Sequence, residues 1–286
     1  MFRRSIVTLL LVNTSLLVLA QNPDSLTIVK AKWTSKRVMP KVRLKTQHFN
    51  ARNLFGSNEN ISYLEVKNKR FKGVFKLAAE AVELKTTSTF AIANQAEAAI
   101  NGTFFDVKNG GSVDYVKVAG EVLATTRLEA DQQRARHQKS AVVIADGKLS
   151  IVKWDGTADW ENRIAAENVM ISGPLLTYNG INEELDSATF STARHPRSAI
   201  GIKPDGRVIL LTVDGRNEQS AGMSLEELRE TMRWLGCSTS INLDGGGSTT
   251  LWVRKAGIVN YPTDNKKWDH EGERKVANVV LISKKP

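Results

Sequence analysis

Two stretches of this chain follow one pattern, and that pattern constrains the fold more than any other feature. Residues 140–152 read Ser-Ala-Val-Val-Ile-Ala-Asp-Gly-Lys-Leu-Ser-Ile-Val, and residues 198–210 read Ser-Ala-Ile-Gly-Ile-Lys-Pro-Asp-Gly-Arg-Val-Ile-Leu. Each is an apolar strand, an Asp-Gly turn and a second apolar strand. Asp-Gly reaches the left-handed backbone that tight hairpin turns require, so each stretch predicts a hairpin and the two together a duplicated unit. From Ala98 onward short apolar runs keep alternating with turn residues. The regular strand–helix–strand alternation of a doubly wound fold is missing. The expectation is an α+β fold, with mixed or mostly antiparallel sheets built from hairpins and helices packed against them.

One helix is well marked. Ser224 and Glu227 form a capping box, Leu225, Leu228, Met232 and Leu235 recur at helical spacing, and Gly236 is a natural stop. The helix delivers the chain into a strand over residues 240–243. Upstream of Ala98, residues 26–33 and 38–44 read as short extended pieces and residues 50–60, rich in Asn, Gly and Ser, as a loop. Residues 75–84 read as a helix, because Ala, Leu, Glu and Lys dominate there.

The N-terminus has the layout of a secretory signal peptide. Met1-Phe2-Arg3-Arg4 is cationic, residues 6–19 are largely apolar, and Ala20 supplies a small residue at the cleavage point. The apolar run is shorter than the ~20 residues a spanning helix needs. The expectation is a bacterial protein, secreted or periplasmic, with no stable membrane insertion after cleavage. Residues 1–20 would be the signal peptide, 21–95 an N-terminal strand and helix region of the same domain, and 96–286 the main domain. A single cysteine, Cys237, excludes an intrachain disulfide and multi-cysteine zinc, and reads as a small buried hydrophobe. The balance of 40 Lys+Arg against 30 Asp+Glu favours an anionic partner. That partner is not nucleic acid: no such motif is present, and the cluster Lys67, Lys69, Arg70 and Lys72 is too short for a groove.

Four segments carry the chemistry. The richest is Asn242-Leu243-Asp244-Gly245-Gly246-Gly247-Ser248-Thr249-Thr250, set between two strands. Three successive glycines exceed what a turn needs; they admit a ligand close to the backbone, and their N–H groups can form an anion-binding nest. Asp244 is a candidate acid, base or metal ligand, and Asn242, two residues earlier on a strand, faces the same way. In Ile100-Asn101-Gly102-Thr103-Phe104-Phe105-Asp106, Asn101, Gly102 and Asp106 are the polar candidates beside an aromatic wall. Arg194-His195-Pro196-Arg197 opens the second hairpin; Arg197 has the fork that suits phosphate, and His195 can exchange protons near neutrality. Val213-Asp214-Gly215-Arg216 closes the same hairpin and adds Asp214 and Arg216. Ser172-Gly173-Pro174-Leu175-Leu176 reads as a pocket lip, and the charged run 266–275 as a solvated face.

In their order along the chain, these segments resemble the phosphodiester glycosidase family over roughly residues 95–283. One departure stands out: Thr103 occupies the place of the family's second glycine in Asn-Gly-Gly. The resemblance implies hydrolysis of a sugar-1-phosphodiester, like that of N-acetylglucosamine, at the glycosidic bond of cell-envelope or host glycans. Glycoside hydrolysis passes through an oxocarbenium-like state flanked by carboxylates. A phosphate leaving group calls for charge stabilisation more than for a proton, which Arg197, Arg216 and the Gly245–Gly247 backbone would supply. Asp106, Asp214 and Asp244 would provide the nucleophile, base or metal ligand, with a divalent cation left open and no other cofactor implied. Asn101, Gly102, His195, Arg216, Asn242, Gly245, Gly246, Gly247, Ser248 and Thr249 would bind substrate. Two other readings remain: a non-catalytic glycan-binding or exopolysaccharide-assembly protein on the same fold, and a metal-dependent phosphodiesterase that cuts P–O.

Overall fold

The structure is a computed structural model that describes residues 22–68, 74–128, 130 and 133–284. The expected signal peptide lies outside the described residues, as do Lys69, Arg70 and Lys72 of the basic cluster.

An eight-stranded sheet organises the chain. Its spatial order is Thr34–Met39, Val42–Leu54, Ser57–Val66, Val208–Val213, Arg197–Ile202, Thr239–Asn242, Leu175–Tyr178 and Ile181–Asn182. Two five-stranded sheets accompany it. One runs Lys148–Lys153, Ser140–Ala145, Asn168–Ile171, Val116–Val118, Glu121–Ala124; the other runs Gly257–Ile258, Leu251–Val253, Ala98–Asn101, Asn278–Ile282, Phe75–Ala79. The pairings in all three are antiparallel, as the hairpin signals require.

The central strand Val208–Val213 shows why its sequence is apolar without a break. Val208 and Leu210 point into a core shared with Val142 and Ile144 of one small sheet and Ile100 and Val280 of the other. Ile209 and Leu211 point the opposite way, toward Ile28 of the helix Pro23–Lys30 and Leu225, Leu228 and Met232 of the helix Leu225–Trp234. Successive side chains on a strand alternate faces, so a sheet covered on both sides needs apolar residues at every position. The large sheet is therefore the middle layer, with small sheets on one face and helices on the other.

Both predicted hairpins are present, in different sheets: Ser140–Ala145 pairs with Lys148–Lys153, and Arg197–Ile202 with Val208–Val213. The capped helix is present too. The Ser224 hydroxyl accepts from Glu227 N, the Glu227 carboxylate accepts from Ser224 N, and Gly236 beyond the end has φ +90°. Cys237 is buried, and burial pushes its thiol up to about 12.

The N-terminal third departs from expectation in three places. Residues 26–33 are not extended; the helix Pro23–Lys30 begins where the Asn22 side chain accepts from Asp24 N and Pro23 fills the first turn. Residues 50–60 are not a loop; two long strands meet there at a Phe55-Gly56 turn, and an irregularity before it puts Ala51 and Arg52 at positive φ. Residues 75–84 do not form a helix; Phe75–Ala79 is a strand paired with Asn278–Ile282, where tertiary pairing overrides local propensity. Strands from before residue 95 are thus paired directly with strands from the last third of the chain.

Candidate active site

Strand direction assembles the site. Val208–Val213 and Thr239–Asn242 flank Arg197–Ile202 and run antiparallel to it, with Arg197 opposite Val213 and Ala199 opposite Asn242. Their C-terminal ends therefore lie at the edge where Arg197 begins, and Asp214 and Asp244 follow those ends. A neighbouring sheet contributes the loop after Ala98–Asn101, tied in by Asp244 N donating to Gly102 O at 3.0 Å.

The amides in this region are staples. Asn101 Nδ2 donates to Asp244 O at 2.7 Å, while its Oδ1 accepts from Ser198 Oγ at 2.6 Å and Thr250 N at 3.1 Å. Asn242 Nδ2 donates to Gly173 O at 2.9 Å and Leu243 O at 2.7 Å. A Cβ on Gly102 would stand 2.0 Å from Asn278 Oδ1, so that position admits only glycine. Thr103 needs no glycine: its φ is not positive, and its N–H donates to Asn278 Oδ1 at 2.6 Å.

The glycine loop is built for close approach rather than as a nest. Gly245 N donates to Asp244 Oδ1 at 2.9 Å and Gly246 N to Pro196 O at 2.8 Å, so two of the three N–H groups expected to face an anion are committed internally. Backbone crowds Gly245, Gly246 has φ +61°, and the ends of charged side chains meet Gly247. A Cβ would lie 2.6 Å from Pro196 O at Gly245, 3.1 Å from Arg216 Nη2 at Gly246, and 2.5 Å and 2.6 Å from Asp264 Oδ1 and Arg274 Nη2 at Gly247. Side-chain cations, not backbone amides, stand on this loop.

The three candidate aspartates differ in kind. Asp106 organises its own loop: Oδ1 accepts from Lys108 N and Asn109 N, and Oδ2 from Asn109 Nδ2 and Arg127 Nη1. The Asn109 N–H and side chain hold its carboxyl down at about 2. Asp214 is 1% exposed; Oδ1 accepts from Asn260 Nδ2 and Tyr261 N, each at 2.9 Å, and Oδ2 from Asn60 Nδ2 at 2.7 Å. Burial pushes its carboxyl up, and those donors oppose the shift. Asp244 has Oδ1 against Gly245 N, but Oδ2 accepts no hydrogen bond of regular geometry among the described residues. Burial pushes this carboxyl up to about 6 against the opposing pull of the nearby Ser248 hydroxyl, which falls short of hydrogen-bond geometry, the Gly245 N–H and Arg274. A carboxyl that titrates near neutrality with one oxygen uncommitted is suited to moving a proton.

Arg197 is buried and largely occupied. Nε donates to Met223 O at 2.8 Å, Nη2 donates to Phe190 O and Ala193 O, and the guanidinium lies 4.9 Å from the Phe190 ring centroid. Burial, then Arg216, brings it down to about 10. The expected phosphate fork is thus turned to the 190–193 backbone, leaving Nη1 as its unengaged end. The His195 imidazole has no hydrogen bond among the described residues; burial and then Arg197 and Arg216 lower its pKa, which favours the neutral ring. Arg216, with φ +60°, makes no salt bridge among the described residues and lies over Gly246. The hydroxyls of Ser248, Thr249, Thr250 and Thr103 are buried without partners among the described residues.

Sequence reasoning missed one arm of the site. That arm is residues 261–275, of which 266–275 read as a solvated face; it carries Asp264 and Arg274 onto Gly247, the two joined at 2.8 Å through Nε. Together with Arg216, Asn217, Thr263, Lys266 and Lys267 they line a cavity of about 250 Å³. Among the described residues no three His, Cys, Asp or Glu side chains gather to hold a metal, and Asp106, Asp214 and Asp244 do not form one ligand set.

Comparison with known proteins bears on residues across this region. A family described as phosphodiester glycosidase matches residues 94–283. The mouse N-acetylglucosamine-1-phosphodiester alpha-N-acetylglucosaminidase is 38% identical over 96 residues, which is 32% of this chain and 18% of the mouse protein. A prophage-derived uncharacterized Bacillus subtilis protein, YomE, is 41% identical over 67 residues, 23% of this chain and 10% of that protein. The matched regions therefore span less than a fifth of these curated relatives' lengths. The catalytic domain of the zebrafish N-acetylglucosamine-1-phosphodiester alpha-N-acetylglucosaminidase, auto-inhibited by its pro-peptide, superposes with TM-score 0.65 at 19% identity, covering 89% of this chain and 88% of that one. A hypothetical protein from Synechocystis gives TM-score 0.65 at 16% identity, covering 88% and 64%. At these identities the superpositions establish a shared fold.

Proposed function

The chain belongs to the phosphodiester glycosidase family, and from that premise we propose that it hydrolyses a sugar-1-phosphodiester at the bond between the anomeric carbon and oxygen. The observation that carries this reading is the state of Asp244. Of the three aspartates singled out by sequence, it alone keeps a carboxylate oxygen uncommitted among the described residues, and it does so beside Arg216 and the Asp264–Arg274 pair.

With a pKa of about 6, Asp244 is mostly ionised at neutral pH and acts as the base. Its Oδ2 takes a proton from water as the water oxygen bonds to the anomeric carbon. The C–O bond to phosphate breaks, and its electron pair stays on the phosphate oxygen. The products are a free sugar and a phosphate monoester carrying one more negative charge than the diester. Arg216 and Arg274 meet that developing charge, and the neutral His195 ring offers a hydrogen bond without adding to the cationic field.

The N-terminal pattern of residues 1–20 supports action outside the cytoplasm, on envelope or host glycans. Hydrolysis of N-acetylglucosamine-1-phosphodiesters in ¹⁸O water tests the reaction. The expected outcome is label in the sugar, abolished by Asp244→Asn. Label in the phosphate would replace this reading with P–O cleavage.

A further inference from the structure

The cavity beside the glycine loop carries more positive charge than one departing phosphate requires. Its lining includes Arg216, Lys266, Lys267 and Arg274, against a single carboxylate, Asp264. Asp264 already holds Arg274 through Nε at 2.8 Å. Arg216, Lys266 and Lys267 make no salt bridge and no side-chain hydrogen bond among the described residues, and a cluster of like charges in a concave lining repels itself unless an anion enters. The other carboxylates of the arm do not relieve it. Asp269 is held chiefly by Glu271 N–H and Asn265, with Lys267 a minor influence, and Glu271 and Glu273 do not line the cavity.

A second observation points to a ligand. Thr263 lines the same cavity, and its hydroxyl is buried with no hydrogen-bond partner among the described residues. A buried hydroxyl without a partner is costly, and such groups are satisfied by a neighbouring group, an ordered water or a ligand. The cavity also joins the reaction site directly, because Arg216 both lines it and stands over Gly246. At about 250 Å³ it is large enough for a phosphate with the carbons that link it onward.

Building on the hydrolase reading above, we propose that this cavity is a second anion subsite, which holds a further phosphate on the leaving-group side of the scissile bond. The preferred substrate is then a sugar-1-phosphodiester whose alcohol portion itself bears phosphate, as in a glycan or polyol chain with repeated phosphodiesters. Arg216 and Arg274 serve the scissile phosphate, and Lys266 with Lys267 and the Thr263 hydroxyl serve the next one.

The test uses the full chain and three N-acetylglucosamine-1-phosphodiesters whose alcohol tails match in length and end in a hydroxyl, a carboxylate or a phosphate. The variant is Lys266→Asn with Lys267→Gln. Lys266 has φ +60°, a conformation asparagine tolerates, so the variant retains the fold. The expected result is a KM at least tenfold lower for the phosphate tail than for the hydroxyl tail in the parent protein. That preference should fall to under threefold in the variant. Equal KM for all three tails, a preference for carboxylate, or a preference that survives in the variant would each overturn the proposal. Calorimetric titration of glycerol 3-phosphate into the Asp244→Asn protein separates this idea from the hydrolase reading. Binding there that is lost on adding the two lysine changes supports the subsite even if no diester is turned over, and no binding rejects it.

Discussion

Asp214 and Asp244 make a natural experiment within one molecule. Each follows the C-terminal end of a strand of the large sheet, each precedes glycine, and their strands flank the same neighbour. Their carboxyls nonetheless do opposite work. Asp214 accepts from Asn60 on the strand Ser57–Val66 and from Asn260 and Tyr261 at the root of the 261–275 arm, so it fastens that arm to the sheet. Asp244 gives one oxygen to Gly245 N and leaves the other open under the arm that Asp214 secures. The difference teaches that burial alone does not mark a reactive carboxyl. Burial raises both pKa values, and what separates the two groups is whether donors have claimed every oxygen.

The largest effect should come from the open carboxyl. Asp244→Asn is expected to lower kcat/KM by about a thousandfold, within the range general-base catalysis supplies, without loss of thermal stability. Removing a charge that burial disfavours makes the folded state no worse, so a fall in Tm comparable to that of a core variant would erase the distinction between the two aspartates. The next effect is the mirror image. Asp214→Asn turns an amide N–H toward groups that are themselves donors, and should cost about 3 kcal/mol in urea unfolding. Residual activity per folded molecule should then fall far less than in Asp244→Asn.

How much of this was legible in the sequence follows the same division. Hairpins, the Ser224-capped helix and the glycine loop are local, with their causes within a few residues, and all three were readable. The helix Pro23–Lys30 also had local signals, Asn22 and Pro23, but the apolar spacing after them read as extended. Phe75–Ala79 had helix-forming composition and became a strand through its pairing with Asn278–Ile282, some two hundred residues away. At the site, sequence named Asp106, Asp214 and Asp244 alike, because it shows residue type and not which oxygens are occupied. It passed over Lys266, Lys267 and Arg274 because a run of charges along the chain looks like a solvated face, and nothing in the sequence around Asp264 singled it out. Only the fold shows Asp264 and Arg274 resting on Gly247.

A buried neighbour of Asp214 sharpens the comparison through pH. Glu59 is fully buried, its oxygens meeting Ser57 Oγ at 2.8 Å and Gly222 N at 3.1 Å, and burial pushes its carboxyl up to about 8. Ser220 Oγ lies 2.7 Å from Asp214 O and 3.3 Å from Glu59 Oε2, so the two acids share one polar seam. Because the folded pKa lies above the unfolded 4.5, the folded state keeps a proton that the unfolded chain has released. Stability from this group is therefore full below about pH 4.5 and is lost as pH rises toward 8, by at most about 1.4 kcal/mol per pH unit. Glu59→Gln, which mimics the protonated acid, should flatten that decline in unfolding measurements at pH 6 and 7.5. An undiminished slope would show that the seam is already ionised.

The smallest effect tests the field at Asp244 itself. The rate governed by an ionised Asp244 should rise through about pH 6, and Arg274 is among the influences that hold that value down from where burial alone would place it. Arg274→Gln removes the cation, so the acidic limb of kcat/KM should move upward by about half a unit. Asp264→Asn works in the opposite sense. It leaves Arg274 without the carboxylate that partly neutralises it, the cation's field on Asp244 strengthens, and the limb should move downward by a similar amount. General damage to the arm would shift both variants the same way or lower the rate with no change in the profile. Shifts of opposite sign require that Asp244 titrates under the direct influence of the Asp264–Arg274 pair. An arm that Asp214 fastens from behind would then be setting the proton affinity of the carboxyl in front.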